Sequence, residues 1–239
     1  MEQQEYRMPA GTLLYAVYRL HRRGIYGLPN QMPSLSDKSF PLFAQEAEAT
    51  LMEMGLGTLD FDGNFTLEEP FAGLLGRCAD CRSLVGASLR SGGIWRKLTL
   101  YAAGAVLERD EDDFCTLRPA ENPLEFLAGT LALPEDPAEP LVPMLADTGL
   151  LEKRDRAGLL AAGCGPLEGE MVLAALDGTG GYAHLRYIEE GSHTGELLLL
   201  YGAAGILSAD AEYSEKQEFL RLTPRTREEV LAALERGRF

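Results

Sequence analysis

The stretch Leu98-Thr-Leu-Tyr-Ala-Ala-Gly-Ala-Val-Leu-Glu-Arg-Asp110 returns 100 residues later as Leu198-Leu-Leu-Tyr-Gly-Ala-Ala-Gly-Ile-Leu-Ser-Ala-Asp210, with six positions identical. Val106 matches Ile206, and the small residues Ala102-Ala-Gly104 match Gly202-Ala-Ala204. In each copy apolar residues flank a run of small ones, the pattern of two strands joined by a tight turn. Further on, Phe114, Leu117 and Pro119 pair with Phe219, Leu222 and Pro224, and each copy runs into a helix-like tail, 123–131 and 226–236. Self-similarity at a fixed spacing signals an internal duplication.

Around the first copy, 83–89, 94–101, 105–109 and 114–118 read as strands joined by Ser91-Gly-Gly93, Ala102-Ala-Gly104 and Glu111-Asp-Asp113. Connections this short allow only antiparallel neighbours, so the strands form a meander. Leu98 and Leu100 alternate with Thr99 and Tyr101, as expected for a sheet with one covered face. Pro119 ends the last strand, and Asn122-Pro123 opens a helix with proline near its first position. The second copy predicts short helices at 141–148 and 153–162, then strands at 171–176, 182–189, 196–201, 205–209 and 217–222. A final helix starts at Thr226, with Glu228 and Glu229 in its first turn. The run 197–200 is apolar on both faces and reads as an inner strand. Two copies related by a pseudo-twofold axis are expected to join into one central sheet.

The amino-terminal part reads differently. Leu13, Leu14, Val17, Tyr18 and Leu20 recur at helical spacing across 8–23, with Gly24 where the helix should stop. Arg19, His21, Arg22 and Arg23 crowd its last turn, as a solvated helix end or a binding patch. Residues 26–39 are rich in glycine, proline and serine and read as loop. A second helix at 40–55 carries Phe43, Ala47, Leu51 and Met54 on one stripe, and Asp62-Gly-Asn64 marks a hairpin turn. Thr66 and Glu69 have the spacing of a capping box for a third helix reaching Asp80. Helix, hairpin and helix make a winged-helix-like unit, but Glu48, Glu53, Glu68 and Glu69 outnumber its basic residues, so it reads as a packing module rather than a DNA reader.

These elements predict an α+β fold: a pseudo-twofold duplicated antiparallel sheet, flanking helices and an N-terminal winged-helix-like helical module. Pro134, Pro137, Pro140 and Pro143 place a seam at 133–143, giving an N-terminal half at 1–133 and a C-terminal half at 134–239 within one compact unit. With 239 residues, 46% hydrophobic and 25% charged, the chain can bury a sizeable core. A net charge of −15 argues against nucleic acid and anionic lipid as partners. The acidic start Met1-Glu-Gln-Gln-Glu5 does not read as a signal peptide, and the apolar run near 197–207 is too short to span a bilayer. Four cysteines without a dense spacing pattern fit a reduced, cytoplasmic protein.

No residue pattern nominates catalysis. Cys78-Ala-Asp-Cys81 lacks the second pair that a structural zinc site needs, and Cys115 and Cys164 stand alone. His21, His184 and His193 belong to no metal-binding pair, and Asp110-Glu-Asp-Asp113 lacks the spaced ligands of a calcium loop. Gly178-Thr-Gly-Gly181 is not followed by the lysine of a phosphate-binding loop. The sole tryptophan, Trp95, sits beside Ser91-Gly-Gly93 at a strand start, where it serves either sheet-face packing or an interface. As an interface anchor it is the candidate partner-binding residue. No catalytic, metal or cofactor residue is expected.

Met54-Gly-Leu56 with Asp60–Gly63, and Leu98–Asp110 leading to Leu117-Arg-Pro119, resemble the EspG-type chaperones of type VII secretion systems. The resemblance covers most of the chain as an ordering of elements. It implies a quasi-twofold fold with a central antiparallel sheet, a cytosolic location, no cofactor, and a partner that is a secreted helical hairpin protein or heterodimer. One departure stands out: that family opens with a strand, whereas the reading above opens this chain with a helix. The sequence therefore favours a non-enzymatic adaptor or chaperone. The alternative is a small-molecule-binding or enzymatic domain whose site lies between the halves, with His184 or Cys164 in a polar pocket.

Overall fold

The computed structural model describes residues 4–28, 39–136, 141–213 and 218–235. The strands expected across 83–118 and 182–222 are present. The first copy runs β1 (Tyr6–Pro9), α1 (Ala10–Arg19), α2 (Phe40–Glu53), a hairpin of β2 (Gly57–Leu59) and β3 (Phe65–Leu67), α3 (Phe71–Asp80), then β4 (Ser83–Ser91), β5 (Ile94–Tyr101), β6 (Ala105–Arg109), β7 (Phe114–Pro119) and α4 (Pro123–Leu131). The second runs β8 (Met144–Asp147), α5 (Thr148–Glu152), α6 (Arg156–Ala161), α7 (Pro166–Asp177), β9 (Gly181–Glu189), β10 (Ser192–Gly202), β11 (Gly205–Tyr213), β12 (Glu218–Arg225) and α8 (Arg227–Glu235). Apart from the β2–β3 hairpin, both copies read strand, three helices, four strands, helix. The fold is α+β.

By contacts the chain forms two compact units. The first comprises Met1–Gly86, Lys97–Pro123 and Glu189–Gly191, and the second Ala87–Arg96, Leu124–Ile188 and Ser192–Phe239. Hydrogen-bonded strand order is β1-β7-β6-β5 in the first and β9-β10-β11-β12-β8 in the second. The tip of the β4–β5 hairpin counts with the second unit, and the β9–β10 turn with the first.

In the first unit a row of cross-strand partners, Tyr6, Leu117, Leu107 and Thr99, lies under α3, where the Tyr6 ring meets Phe71 at 5.0 Å. Tyr101 shares this face by strand alternation, is 0% exposed, and its hydroxyl donates to the Tyr26 carbonyl. In the second unit Leu200, Leu207, Ala209 and Leu222 pack with Val172 and Ala175 of α7, Leu151 of α5 and Leu159 of α6. Burying each such leucine contributes about 1.5–3 kcal/mol.

The matched letters do not take matched places. Leu107 and Leu207 both lie under the helices, but Leu107 is opposite Thr99 whereas Leu207 is opposite Leu200. The cause is the turn. Tyr101 faces Ala105 around the three residues 102–104, while Gly202 faces Gly205 around only two, 203–204. Removing one turn residue moves β10 by one position against β11, and a one-residue slip turns every side chain over. Tyr201 thus lies on the face away from α7, its ring against Gly181, where a Cβ would collide with it.

Several expected elements are corrected. Residues 6–9 form a strand, not the start of a helix: Tyr6 and Met8 point inward and Pro9 ends the pairing with β7. The chain therefore opens with a strand, and the departure noted above disappears. Helix α1 stops at Arg19, with His21 taking the left-handed turn (φ 57°) instead of Gly24. Thr66 stands in β3 opposite Thr58, and Glu69 alone caps α3 by accepting from Gly73 N–H at 3.1 Å. The run 141–148, expected as a helix, holds edge strand β8 from Met144 to Asp147 and then the start of α5, whose cap is Asp147. The predicted strand 171–176 is the body of α7, with Pro166 at its start and left-handed Gly178 (φ 84°) at its end. A short apolar run does not by periodicity alone distinguish strand from buried helix. Most of the expected loop at 26–39, Pro137 and Pro140 of the seam, Gln217, and the end of the last helix at Arg236 lie outside the described residues.

Candidate functional site

Between α7 and the strands of the second unit lies a cavity of about 290 Å³. Its floor is Leu198 and Leu200 of β10 and Leu220 of β12; its helical wall is Val172, Ala175 and Leu176 of α7 with Leu151 of α5. Arg90 of β4, Trp95 of β5 and Tyr182 of β9 complete it. These residues come from seven elements, which is why no local motif announces them.

The polar end is an aromatic–cation cluster. Trp95 and Tyr182 meet edge to face with ring centroids 5.6 Å apart, and the Arg90 guanidinium stacks over both, 4.9 Å from the Trp95 centroid and 6.0 Å from that of Tyr182. Stacking of this kind contributes about 0.5–2 kcal/mol. Arg90 also flanks Gly178, the cap of α7, so its charge faces the negative end of the helix dipole. Among the described residues Arg90 Nε is buried with no hydrogen-bond partner. A buried donor left in that state costs about 1–3 kcal/mol. Burial also raises the Tyr182 phenol, which stays neutral.

Trp95 remains 38% exposed and its neighbour Ile94 66%, and Leu176 on the α7 wall is 45% exposed. Trp95 is thus half in the cavity and half in solvent, as an aromatic that can both pack and present a surface. The sequence singles out Trp95 but gives no sign of Arg90 or Tyr182; the latter is 87 positions away from Trp95, and only the fold unites them.

The other candidates are not brought to this cavity. His184 contacts Glu196 at 3.1 Å, a hydrogen bond that holds the Glu196 carboxyl below its ordinary value. Cys164 is buried, and burial raises its thiol. Burial likewise pushes Cys78 and Cys115 up to about 12, so both are neutral thiols and poor nucleophiles. Within the basic cluster, Arg19 donates to the Phe65 carbonyl and stacks on its ring at 5.6 Å, and Arg22 pairs with Asp80 at 2.7 Å. Two of those cations therefore tie the helical module together. Asp110 accepts from Phe114 N–H at 2.8 Å and from Arg7 at 3.0 Å, closing the β6–β7 turn. Among the described residues no three His, Cys, Asp or Glu side chains gather as a metal site, and no helix is long and apolar enough to cross a membrane.

Architecture, then, defines this chain as having the fold of the type VII secretion chaperones. It is similar to EspG5 of Mycobacterium tuberculosis, solved as a type VII secretion system chaperone in complex with the PE25-PPE41 dimer, with a TM-score of 0.62 over 97% of this chain and 95% of that one. Identity is 12%, so the likeness is one of fold. No family model and no curated protein matches the sequence.

Proposed function

We propose that this protein is a non-enzymatic cytoplasmic adaptor or chaperone that binds a secreted helical hairpin protein, or a heterodimer of such proteins, from a type VII secretion system. The observation that supports this reading is the likeness of fold, over 97% of this chain, to a chaperone solved in complex with the PE25-PPE41 dimer. The face around Trp95 supports it. Trp95 and Leu176 are exposed apolar side chains lining a shaped cavity, the arrangement expected of a binding anchor. No group in that cavity is a nucleophile or a general base, which suits gripping rather than reacting.

Co-expression of the full chain with the small helical proteins encoded beside its gene, followed by affinity capture through the chain, tests the reading. Stable co-purification of a helical pair is expected. If every such pair fails to co-purify while the chain itself is folded, the reading is wrong.

A further inference from the structure

The two copies differ in what covers the sheet at one position. In the first, residues 22–28 lie over it: Gly27 fits against Thr99 and Leu107, and the Tyr26 carbonyl accepts from Tyr101. Leu28 N–H donates to the Ile25 carbonyl at 3.4 Å, making a turn, and Ile25 and Leu28 are both 6% exposed. A turn with two apolar side chains three positions apart thus seals the first copy. Its place is made by a long connection, since α1 and α2 are separated by 20–39.

In the second copy α5 and α6 are separated by only 153–155, so no comparable segment exists there. Leu200, the counterpart of Thr99 by its pairing with Leu207, instead lines the cavity. The donor also differs. Where the first copy offers the Tyr101 hydroxyl to a carbonyl, the cavity offers a guanidinium, the one charged group among its lining residues. At about 290 Å³ the cavity is at the lower edge of the roughly 300–1,000 Å³ usual for small-molecule and cofactor pockets, and suits one or two side chains.

We infer that this cavity receives a turn of the partner protein, with a leucine- or isoleucine-sized side chain entering between α7 and β10 and a neighbouring carboxylate meeting Arg90. The partner does for the second copy what residues 22–28 do for the first. This inference rests on the proposed function for the source of the segment, but its chemistry is tested separately. The carboxylate is selected by charge: a cation held among apolar walls rejects a basic side chain and gives a neutral amide only a weaker hydrogen bond, without charge on the acceptor.

Trp95 is the only tryptophan, so its emission reports on the cavity directly. The full chain is titrated with acetylated, amidated peptides Ile-Glu-Gly-Leu and Ile-Gln-Gly-Leu, exciting tryptophan alone. The Glu peptide is expected to give a saturable change and to bind about tenfold more tightly than the Gln peptide, consistent with one charge-assisted hydrogen bond. Arg90→Gln is expected to abolish the preference, and Arg90→Lys to retain part of it. Equal binding of the two peptides, or no saturable change with either at millimolar concentration, overturns the inference. Capture of a helical pair that is undiminished by Arg90→Gln also overturns it while leaving the adaptor reading intact. Failure of the wild-type chain to capture any pair, with the peptide preference present, overturns only the adaptor reading.

Discussion

The hairpins β5–β6 and β10–β11 carry the most similar letters in the chain and put them to different use. Tyr101 is under α3 with its hydroxyl satisfied; Tyr201 is turned to the opposite face, and Gly202 takes the place of Tyr101. One residue fewer in the turn accounts for the change. The lesson is that a duplication preserves which segments are strands more faithfully than it preserves which face each residue serves. Here the first copy closes over itself with its own 22–28 segment, and the second keeps a cavity edged by Arg90, Trp95 and Tyr182.

The largest expected effect tests what the copies share. Leu107 and Leu207 are 1% and 0% exposed at matched positions under the helices. Leu107→Ala and Leu207→Ala should each destabilise the fold by about 2–5 kcal/mol in urea denaturation. A cost below about 1 kcal/mol for either one would break the proposed correspondence between β6 and β11.

Much of this framework is legible in the sequence. Strands β5 and β6 and helix α4 begin and end where the repeat, the small-residue turns and Pro123 place them. What is not legible has physical causes. Strand β1 is four residues long and exists because β7 offers it an edge. Helix α7 has a run, Met171–Leu176, too short for its period to distinguish helix from strand; Pro166 and Gly178 were the available signals. The phase slip between β5 and β10 was hidden by the 100-residue spacing of the letters, although the different placement of glycine in Ala102-Ala-Gly104 and Gly202-Ala-Ala204 hinted at different turns. Trp95 was visible as a lone aromatic, while its partners Arg90 and Tyr182 join it only through tertiary structure.

A second prediction sharpens the comparison at Gly181. A Cβ there would strike the Tyr201 ring, so Gly181→Ala should cost about 1–3 kcal/mol. Combining it with Tyr201→Leu should recover part of that cost, a coupling read from the double-mutant cycle. Additive losses would place the Tyr201 ring elsewhere. The two tyrosines also differ in their hydroxyls. Tyr101→Phe removes the hydroxyl that donates to the Tyr26 carbonyl from a fully buried ring and should cost about 0.5–1.5 kcal/mol by thermal or urea unfolding. No hydrogen bond of the Tyr201 hydroxyl is seen among the described residues, and Tyr201→Phe should stay within about 0.5 kcal/mol of wild type. Equal costs would contradict the assigned faces.

The smallest effect concerns acid. Asp110 matches Asp210 in the repeat, but it caps a turn, whereas Asp210 stands within β11 opposite Arg221. The Phe114 amide, and after it Arg7, hold the Asp110 carboxyl below its ordinary value of 3.8. A carboxyl lowered in the folded state stabilises the fold above its unfolded value, and this contribution fades as pH falls through the folded value. Asp110→Asn should therefore flatten the loss of stability with falling pH below about 4 and shift stability by a constant amount at neutral pH. An unchanged acid slope in pH-dependent unfolding would remove Asp110 from that role.

Hydrogen exchange on the chain alone and in the proposed complex with a helical pair tests the account most directly. Binding is expected to protect the backbone of β4 and β5 around Arg90 and Trp95, together with α7 near Leu176, while exchange at residues 22–28 and around Tyr101 is unchanged. Protection confined to 22–28 and the Tyr101 hairpin, with none around Trp95, would contradict it.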